Sequence, residues 1–414
     1  MKKHWIRSTY FIYSIFAASV AVSSLSGCGT VSKMSDLEIA LGANSNHRSL
    51  KLYSTWVRDT KIQPHFKYRY LNLMPPLLLE EAVLQGNPVD GITKYDRKSG
   101  VELWRIKVEN GVIGGATADR DRLYFGGGDG QFHCVSLNDG KTIWVAPVRS
   151  ETLAAPTVSD GVVFFQSGAD IVFALDANSG KQLWVYNRRV TGHLSIRAST
   201  RPVIAGDKVF VGFSDGYLAA LKRTDGSIIW ERRLGHGHRF SDVDATPVID
   251  GESLYVSSYD GQLYSLNVDT GDVLWKVNQG GYVPVTVHDD RIYFSTLNQS
   301  ILLLDKKSGK TIKTFPVKNG IPTQAVLHNG LMIYGESDGN LVVASAESGE
   351  TLAQFAPGTG VIAKPTIFKS DTTSSSSKSN PKWVEGYFVS NGANLHAVKF
   401  GYVDERNEPQ WIKK

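Results

Sequence analysis

The chain has 414 residues, 42% of them hydrophobic, with 45 basic and 40 acidic side chains and a formal net charge of +5. Setting aside Lys2, Lys3 and Arg7 at the extreme N-terminus leaves 42 basic against 40 acidic residues, or +2, which excludes the concentrated basic footprint of a nucleic-acid-binding protein. With only Cys28 and Cys134 present, the chain cannot rest on a disulfide framework.

Residues 1–27 read as a targeting segment. The three basic residues precede an apolar run, Tyr10 to Val22, that is too short for a permanent membrane span. Leu25-Ser26-Gly27-Cys28 follows and resembles the bacterial lipobox, which implies cleavage before Cys28 and acylation of its thiol and new amino group. Several acyl chains make a stable anchor, since each buried methylene contributes about 0.8 kcal/mol. Gly29 stands where an Asp would signal inner-membrane retention in enterobacterial lipoproteins, so its identity is similar to that of outer-membrane cargo. Residues 28–50 are polar and aperiodic, and form a lipid-anchored tether.

From 51 to 414 one pattern recurs. A turn glycine appears at Gly100, Gly140, Gly180, Gly226, Gly271, Gly309 and Gly349, at intervals of 40, 40, 46, 45, 38 and 40 residues. A period near 40 built of strands and turns means a closed propeller or a solenoid. The second-to-third-strand element occurs eight times, at 83–96, 123–137, 162–176, 208–221, 253–266, 291–305, 331–344 and 387–398. The eighth copy lacks a convincing fourth strand. Ser54-Thr55-Trp56-Val57 supplies one from the other end, with Trp411 as a competing candidate. The expected fold is therefore all-β: an eight-bladed β-propeller with its ring closed by the N-terminal strand.

Within each unit the signals are local. Asp129-Gly130, Asp215-Gly216, Asp260-Gly261 and Asp338-Gly339 sit between apolar strands and predict type I′ hairpins. Trp104, Trp144, Trp184, Trp230 and Trp275 each lie four residues after a turn glycine, and predict packing against the neighbouring blade. At that offset the last two units have Lys313 and Ala353, with Phe315 and Phe355 nearby as substitutes. Cys134 falls in a strand and reads as a small core residue. Residues 59–82, with Pro64, Pro75 and Pro76, read as a long excursion before the first blade's third strand. Residues 369–380, with four consecutive serines, form a surface loop in the last blade.

Catalytic and metal-binding constellations are not found. There is no His-Glu-x-x-His, no Gly-x-Ser-x-Gly and no phosphate-binding loop. His236-Gly237-His238 has no nearby cysteine, and reads as a solvated loop rather than a metal site. Gly126-Gly127-Gly128 precedes a hairpin and opens no helix.

The informative departure is in two consecutive linkers. Trp144 to Pro156 and Trp275 to Pro284 span 12 and nine residues, but Trp184 to Pro202 spans 18 and Trp230 to Pro247 spans 17. Such linkers emerge on one face, and added loop length on a rigid scaffold commonly carries binding. The first contains Arg188-Arg189 and Leu194-Ser195-Ile196-Arg197. The second contains Arg239-Phe240-Ser241-Asp242-Val243-Asp244. Two readings stand: a protein-docking patch, or loops that fold back on themselves with Arg197 paired to Asp242 or Asp244.

The repeat resembles the propellers of quinoprotein dehydrogenases, but the vicinal cysteines of those enzymes are absent. With the lipobox, Leu194-Ser195-Ile196-Arg197 and Ser241-Asp242-Val243-Asp244 added, the chain from Cys28 to about 400 resembles the BamB family, lipoproteins of the outer-membrane β-barrel assembly machinery. That resemblance implies a non-catalytic, cofactor-free scaffold anchored in the outer membrane and facing the periplasm. It implies docking onto the periplasmic domains of a BamA-like barrel subunit through Leu194, Ile196, Arg197, Asp242 and Asp244, and assistance to unfolded outer-membrane protein precursors. The alternatives are a quinone-dependent periplasmic dehydrogenase, and a propeller that binds a small molecule or a cell-wall component.

Overall fold

The structure is a computed structural model and describes residues 48–61, 72–188, 200–235, 242–259, 261–368 and 383–404. The lipobox with Cys28, His236 and His238, the serine-rich loop and Trp411 lie outside these residues. Among the described residues there is no helix. The described residues form 32 strands in eight four-stranded antiparallel sheets, the blades of a β-propeller.

Blade 3 shows how sequence becomes sheet. Its strands are Thr157–Ser159, Val162–Gln166, Ile171–Asp176 and Gln182–Asn187, paired in that order. The middle two, Val-Val-Phe-Phe-Gln and Ile-Val-Phe-Ala-Leu-Asp, are buried over most of their length because neighbouring blades cover both faces. The fourth strand alternates buried and exposed residues, as an outer edge does. Blades 1 to 8 begin at Leu77, Ala116, Thr157, Val203, Val248, Thr286, Val326 and Thr366.

Blade 8 is completed from the N-terminus. Strand Arg48–Asp59 pairs with Asn394–Asp404 from Arg48↔Asp404 to Asp59↔Asn394, with a bulge between Ser54 and Trp56. The closing strand is thus longer than Ser54–Val57 and reaches back into the expected tether. Its exit is tied to both flanking blades. Thr60 donates its N–H and hydroxyl to the Ala393 carbonyl, at 3.1 and 2.7 Å, and its own carbonyl accepts Asn87 Nδ2 at 2.8 Å.

The turns correct one expectation. Type I′ needs left-handed φ at both central residues. Asp160-Gly161 (48° and 76°) and Asn329-Gly330 (46° and 76°) meet that condition, but they join first strands to second strands. At Asp129-Gly130 and Asp215-Gly216 only the glycine is left-handed. There the Gly127 N–H donates to Gln131 O at 2.9 Å and Phe213 N–H to Tyr217 O at 2.8 Å, which encloses three-residue loops. The aspartate instead caps the turn, as Asp129 Oδ1 does by accepting the Gln131 N–H at 3.1 Å.

The tryptophans hold blade to blade. Each ring lies on the turn glycine of the next blade: Trp56 on Gly100, Trp104 on Gly140, Trp144 on Gly180, Trp184 on Gly226, Trp230 on Gly271 and Trp275 on Gly309. Each indole N–H donates to the carbonyl three residues before that glycine, for example Trp144 to Ala177 at 3.1 Å and Trp184 to Arg223 at 2.9 Å. Phe315 takes the place over Gly349. It has no N–H to give, and the Ala346 carbonyl is met by the Tyr293 hydroxyl at 3.1 Å. Phe355 packs on Phe388 and His396 in blade 8, with ring centroids 5.8 and 5.6 Å apart.

Candidate functional site

Antiparallel pairing puts every second-to-third hairpin and every fourth-to-first linker at the same end of the sheets. The two long linkers therefore leave and re-enter the scaffold beside the hairpins of blades 3, 4 and 5. Their roots are firmly built.

The first linker departs at Arg188. Its Nε donates to Asp215 at 2.6 Å and its Nη1 to Glu231 at 2.9 Å. The guanidinium lies over the Tyr217 ring at 4.3 Å and the Phe213 ring at 5.1 Å. Burial disfavours the charged form, but hydrogen bonds to Glu231 and Asp215 outweigh it and raise the Arg188 pKa. The linker returns at buried Thr200, whose N–H and hydroxyl donate to Gln166 Oε1 at 3.0 and 3.1 Å. The Gln166 Nε2 donates onward to the Gly212 carbonyl at 3.0 Å and to Asp170 at 3.2 Å.

The second linker departs with the N–H groups of Leu234 and Gly235 donating to the Gly216 carbonyl, at 2.8 and 3.0 Å. It returns at Asp242, whose carbonyl accepts the Tyr259 N–H at 3.0 Å. Val243 N–H donates to Phe213 O at 3.1 Å, and its side chain joins the core cluster of Phe210, Leu218 and Leu234. This return corrects the sequence-based expectation. Asp242 and Asp244, expected on the docking surface, are 0% and 7% exposed. With Val243 anchored in the core, the two carboxylates are drawn below the surface with it.

They meet a third acid there. Asp170, from the blade 3 hairpin, accepts the Ser214 N–H at 3.3 Å and also the Ser214 hydroxyl. Its pKa is raised by burial and by the charges of Asp215 and Asp242, against the lowering effect of the Ser214 hydrogen bonds. Burial, then Asp242 and Asp170, push Asp244 well above the usual carboxylate range. Three mutually repelling carboxyls thus sit under the roots of both linkers. Asp170 escaped the sequence reading, yet a signal was there. It occupies, at φ 58°, the turn position that is glycine in Gly130 and Gly216. Gln166, which bridges Thr200 to Asp170, gave no signal. Leu194, Ile196 and Arg197 lie outside the described residues.

Among the described residues, no group of three or more His, Cys, Asp or Glu is arranged to hold a metal. Cys134 is a buried free thiol whose pKa burial pushes up to about 11, so it is packed rather than poised to react.

Comparison with known proteins gives a consistent picture. The family model described as outer membrane protein assembly factor BamB matches residues 90–315, more than half of the chain. Proteins of that name from Kangiella koreensis and Legionella pneumophila are 30% identical over 352 residues and 28% identical over 181 residues. The Kangiella alignment covers 82% of this chain and 88% of that protein. The Legionella alignment covers 42% of this chain, and the chain spans about half the length of that protein, 47%. The crystal structure of BamB from Moraxella catarrhalis superposes with a TM-score of 0.69 at 19% identity, covering 84% of this chain and all of that one. A quinohemoprotein alcohol dehydrogenase from Comamonas testosteroni gives a TM-score of 0.65 at 12% identity over 84% of this chain and 76% of its own. At such identities the superpositions speak for the fold alone.

Proposed function

Because the chain belongs to the family of outer membrane protein assembly factor BamB, we propose that it is a non-catalytic scaffold of the outer-membrane β-barrel assembly machinery, anchored through Cys28 and facing the periplasm. Residues 1–27 are its signal peptide, 28–47 its tether and 48 onward its propeller. Its partner is a BamA-like barrel subunit, and its docking element is the pair of long linkers between blades 3, 4 and 5. The observation that carries this reading is the double anchoring of those linkers at Arg188 and Thr200, and at Gly216 and Val243. Such rigid roots lower the entropy lost when a loop is ordered against a partner.

Leu194, Ile196 and Arg197 are the contacts in this proposal. Asp242 and Asp244 serve as a buried acidic footing that sets the linker roots, and they do not touch the partner. The outer strands suit the second role, assistance to barrel precursors. They leave Leu103, Ile143, Leu183, Ile229, Leu274 and Ile312 exposed along unpaired strand edges, where an extended segment can add. The direct test is affinity capture of the tagged full-length lipoprotein from membranes, with mass spectrometry. Recovery of the barrel subunit supports the proposal. Recovery of none, together with dye reduction after reconstitution with quinone and calcium, favours the dehydrogenase reading.

A further inference from the structure

The first strands of the eight blades share one register, as in Thr117↔Tyr124, Thr157↔Phe164, Val203↔Phe210 and Thr366↔Tyr387. First strands touch between blades 2 and 3, 3 and 4, 5 and 6, 6 and 7, and 8 and 1, so the first strands form the innermost wall of the ring. In blades 2, 3, 6 and 8 a threonine hydroxyl in that register ties the wall strand to the chain just before the next one. Thr117 donates to the Pro156 carbonyl at 2.6 Å, Thr157 to Pro202 at 2.5 Å and Thr366 to Pro76 at 2.9 Å.

Two residues before each threonine or its equivalent, the wall opens at the end where the long linkers lie. Most of these positions are small or uncharged, such as Gly115, Ala155, Thr246 and Gln324, and none is acidic. The two exceptions are Arg201 in blade 4 and Lys364 in blade 8, which are four blades apart and so face each other across the ring. Arg201 Nε donates to Thr157 Oγ1 at 3.0 Å. Its other guanidinium N–H groups, and all three of the Lys364 ammonium, have no partner among the described residues. Solvent reaches Arg201, yet crowding by protein lowers its pKa, as happens in a narrow opening rather than on an open face. Burial also lowers the Lys364 pKa, and the Arg201 charge lowers it further. No carboxylate among the described residues offsets the pair.

We infer that the channel mouth between Arg201 and Lys364 is a binding site for a small oxyanion of the phosphate class. A tetrahedral dianion presents oxygens to both sides at once. It would satisfy a guanidinium edge and an ammonium and cancel the repulsion between them. The assignment does not depend on the docking proposal, since neither side chain belongs to the proposed contacts.

The test is calorimetric titration of the full-length protein with inorganic phosphate, against chloride at equal ionic strength. The expected result is saturable binding, weakened roughly tenfold or more in Lys364→Met and in Arg201→Gln, since a charge-assisted hydrogen bond carries at least about that factor. Lys364→Arg, which keeps the charge, retains binding and guards against a folding artefact. Without phosphate, Lys364→Met does not lower the melting temperature, because one of two like charges has gone. A phosphomonoester titrated in parallel separates the sources: tighter binding than inorganic phosphate points to a phosphorylated molecule, weaker binding to the free ion. Absence of saturable phosphate binding, or equal binding by the Arg201→Gln/Lys364→Met double variant, overturns the inference.

Discussion

Trp184 and Gly226 make the blade-to-blade clasp measurable. Trp184 is nearly buried, its indole N–H donates to the Arg223 carbonyl at 2.9 Å, and its ring lies 5.9 Å from that of Phe164. Removing a buried Trp costs about 3–5 kcal/mol, cavity included. Gly226 has φ 73°, and a Cβ there would stand 2.6 Å from the Trp184 ring. Gly226→Ala thus carries about 1–2 kcal/mol for the left-handed backbone, and about 1–3 kcal/mol more for crowding the ring. In a Trp184→Ala background the ring is gone and only the backbone cost remains. A double-mutant cycle read from urea unfolding midpoints should therefore show Gly226→Ala less harmful by about 1–3 kcal/mol when Trp184 is absent. Equal costs in both backgrounds, within about 0.5 kcal/mol, would refute the idea that the ring dictates the glycine.

Three further outcomes are expected. His396 is 5% exposed and stacked 4.7 Å from Phe388, and burial lowers its pKa from 6.5 to about 4. A depressed histidine pKa means stability that is complete above pH 6.5 and is lost as pH falls towards 4, by about 3 kcal/mol; His396→Phe should flatten that acid limb in melting temperatures taken from pH 7 to 4.5. Arg188→Ala leaves Asp215 partly buried without its cation, so the unfolding free energy from urea titration should fall by about 3 kcal/mol, and proteolysis within 189–199 should accelerate. Deleting residues 48–59 removes the closing strand and exposes the edge of Asn394–Asp404, so the cooperative thermal transition should be lost and aggregation should appear on light scattering.

Much of the architecture was legible because the repeat is itself a packing constraint. A ring that lies on the next glycine and donates to a fixed carbonyl must recur at fixed spacing, so glycine and tryptophan reveal the blade period. Phe315 could be named as a substitute because it keeps the ring. Turn type was not legible from Asp-Gly, since the dipeptide fits a two-residue loop and the end of a three-residue loop equally well. Which one forms depends on where strand pairing stops. The footing of the linkers was legible only in part. Ser241-Asp242-Val243-Asp244 reads as an exposed alternation, but Val243 is claimed by the core of blades 4 and 5 and takes its neighbours under with it. The approach of Asp170 to Asp244 joins residues 74 positions apart in the chain, and no local pattern encodes it.

In the proposed function the two long linkers dock a barrel subunit. The measurement that tests it most directly is co-purification of that subunit with Arg197→Glu, beside a variant of the Asn329-Gly330 hairpin at the opposite end of the sheets, with melting temperatures taken for both. Asp244→Lys is unsuitable, because it would bury a new charge and unfold the site. Arg197→Glu should lose the subunit at an unchanged melting temperature while the hairpin variant retains it. Retention by Arg197→Glu, or equal loss by both, would contradict that docking.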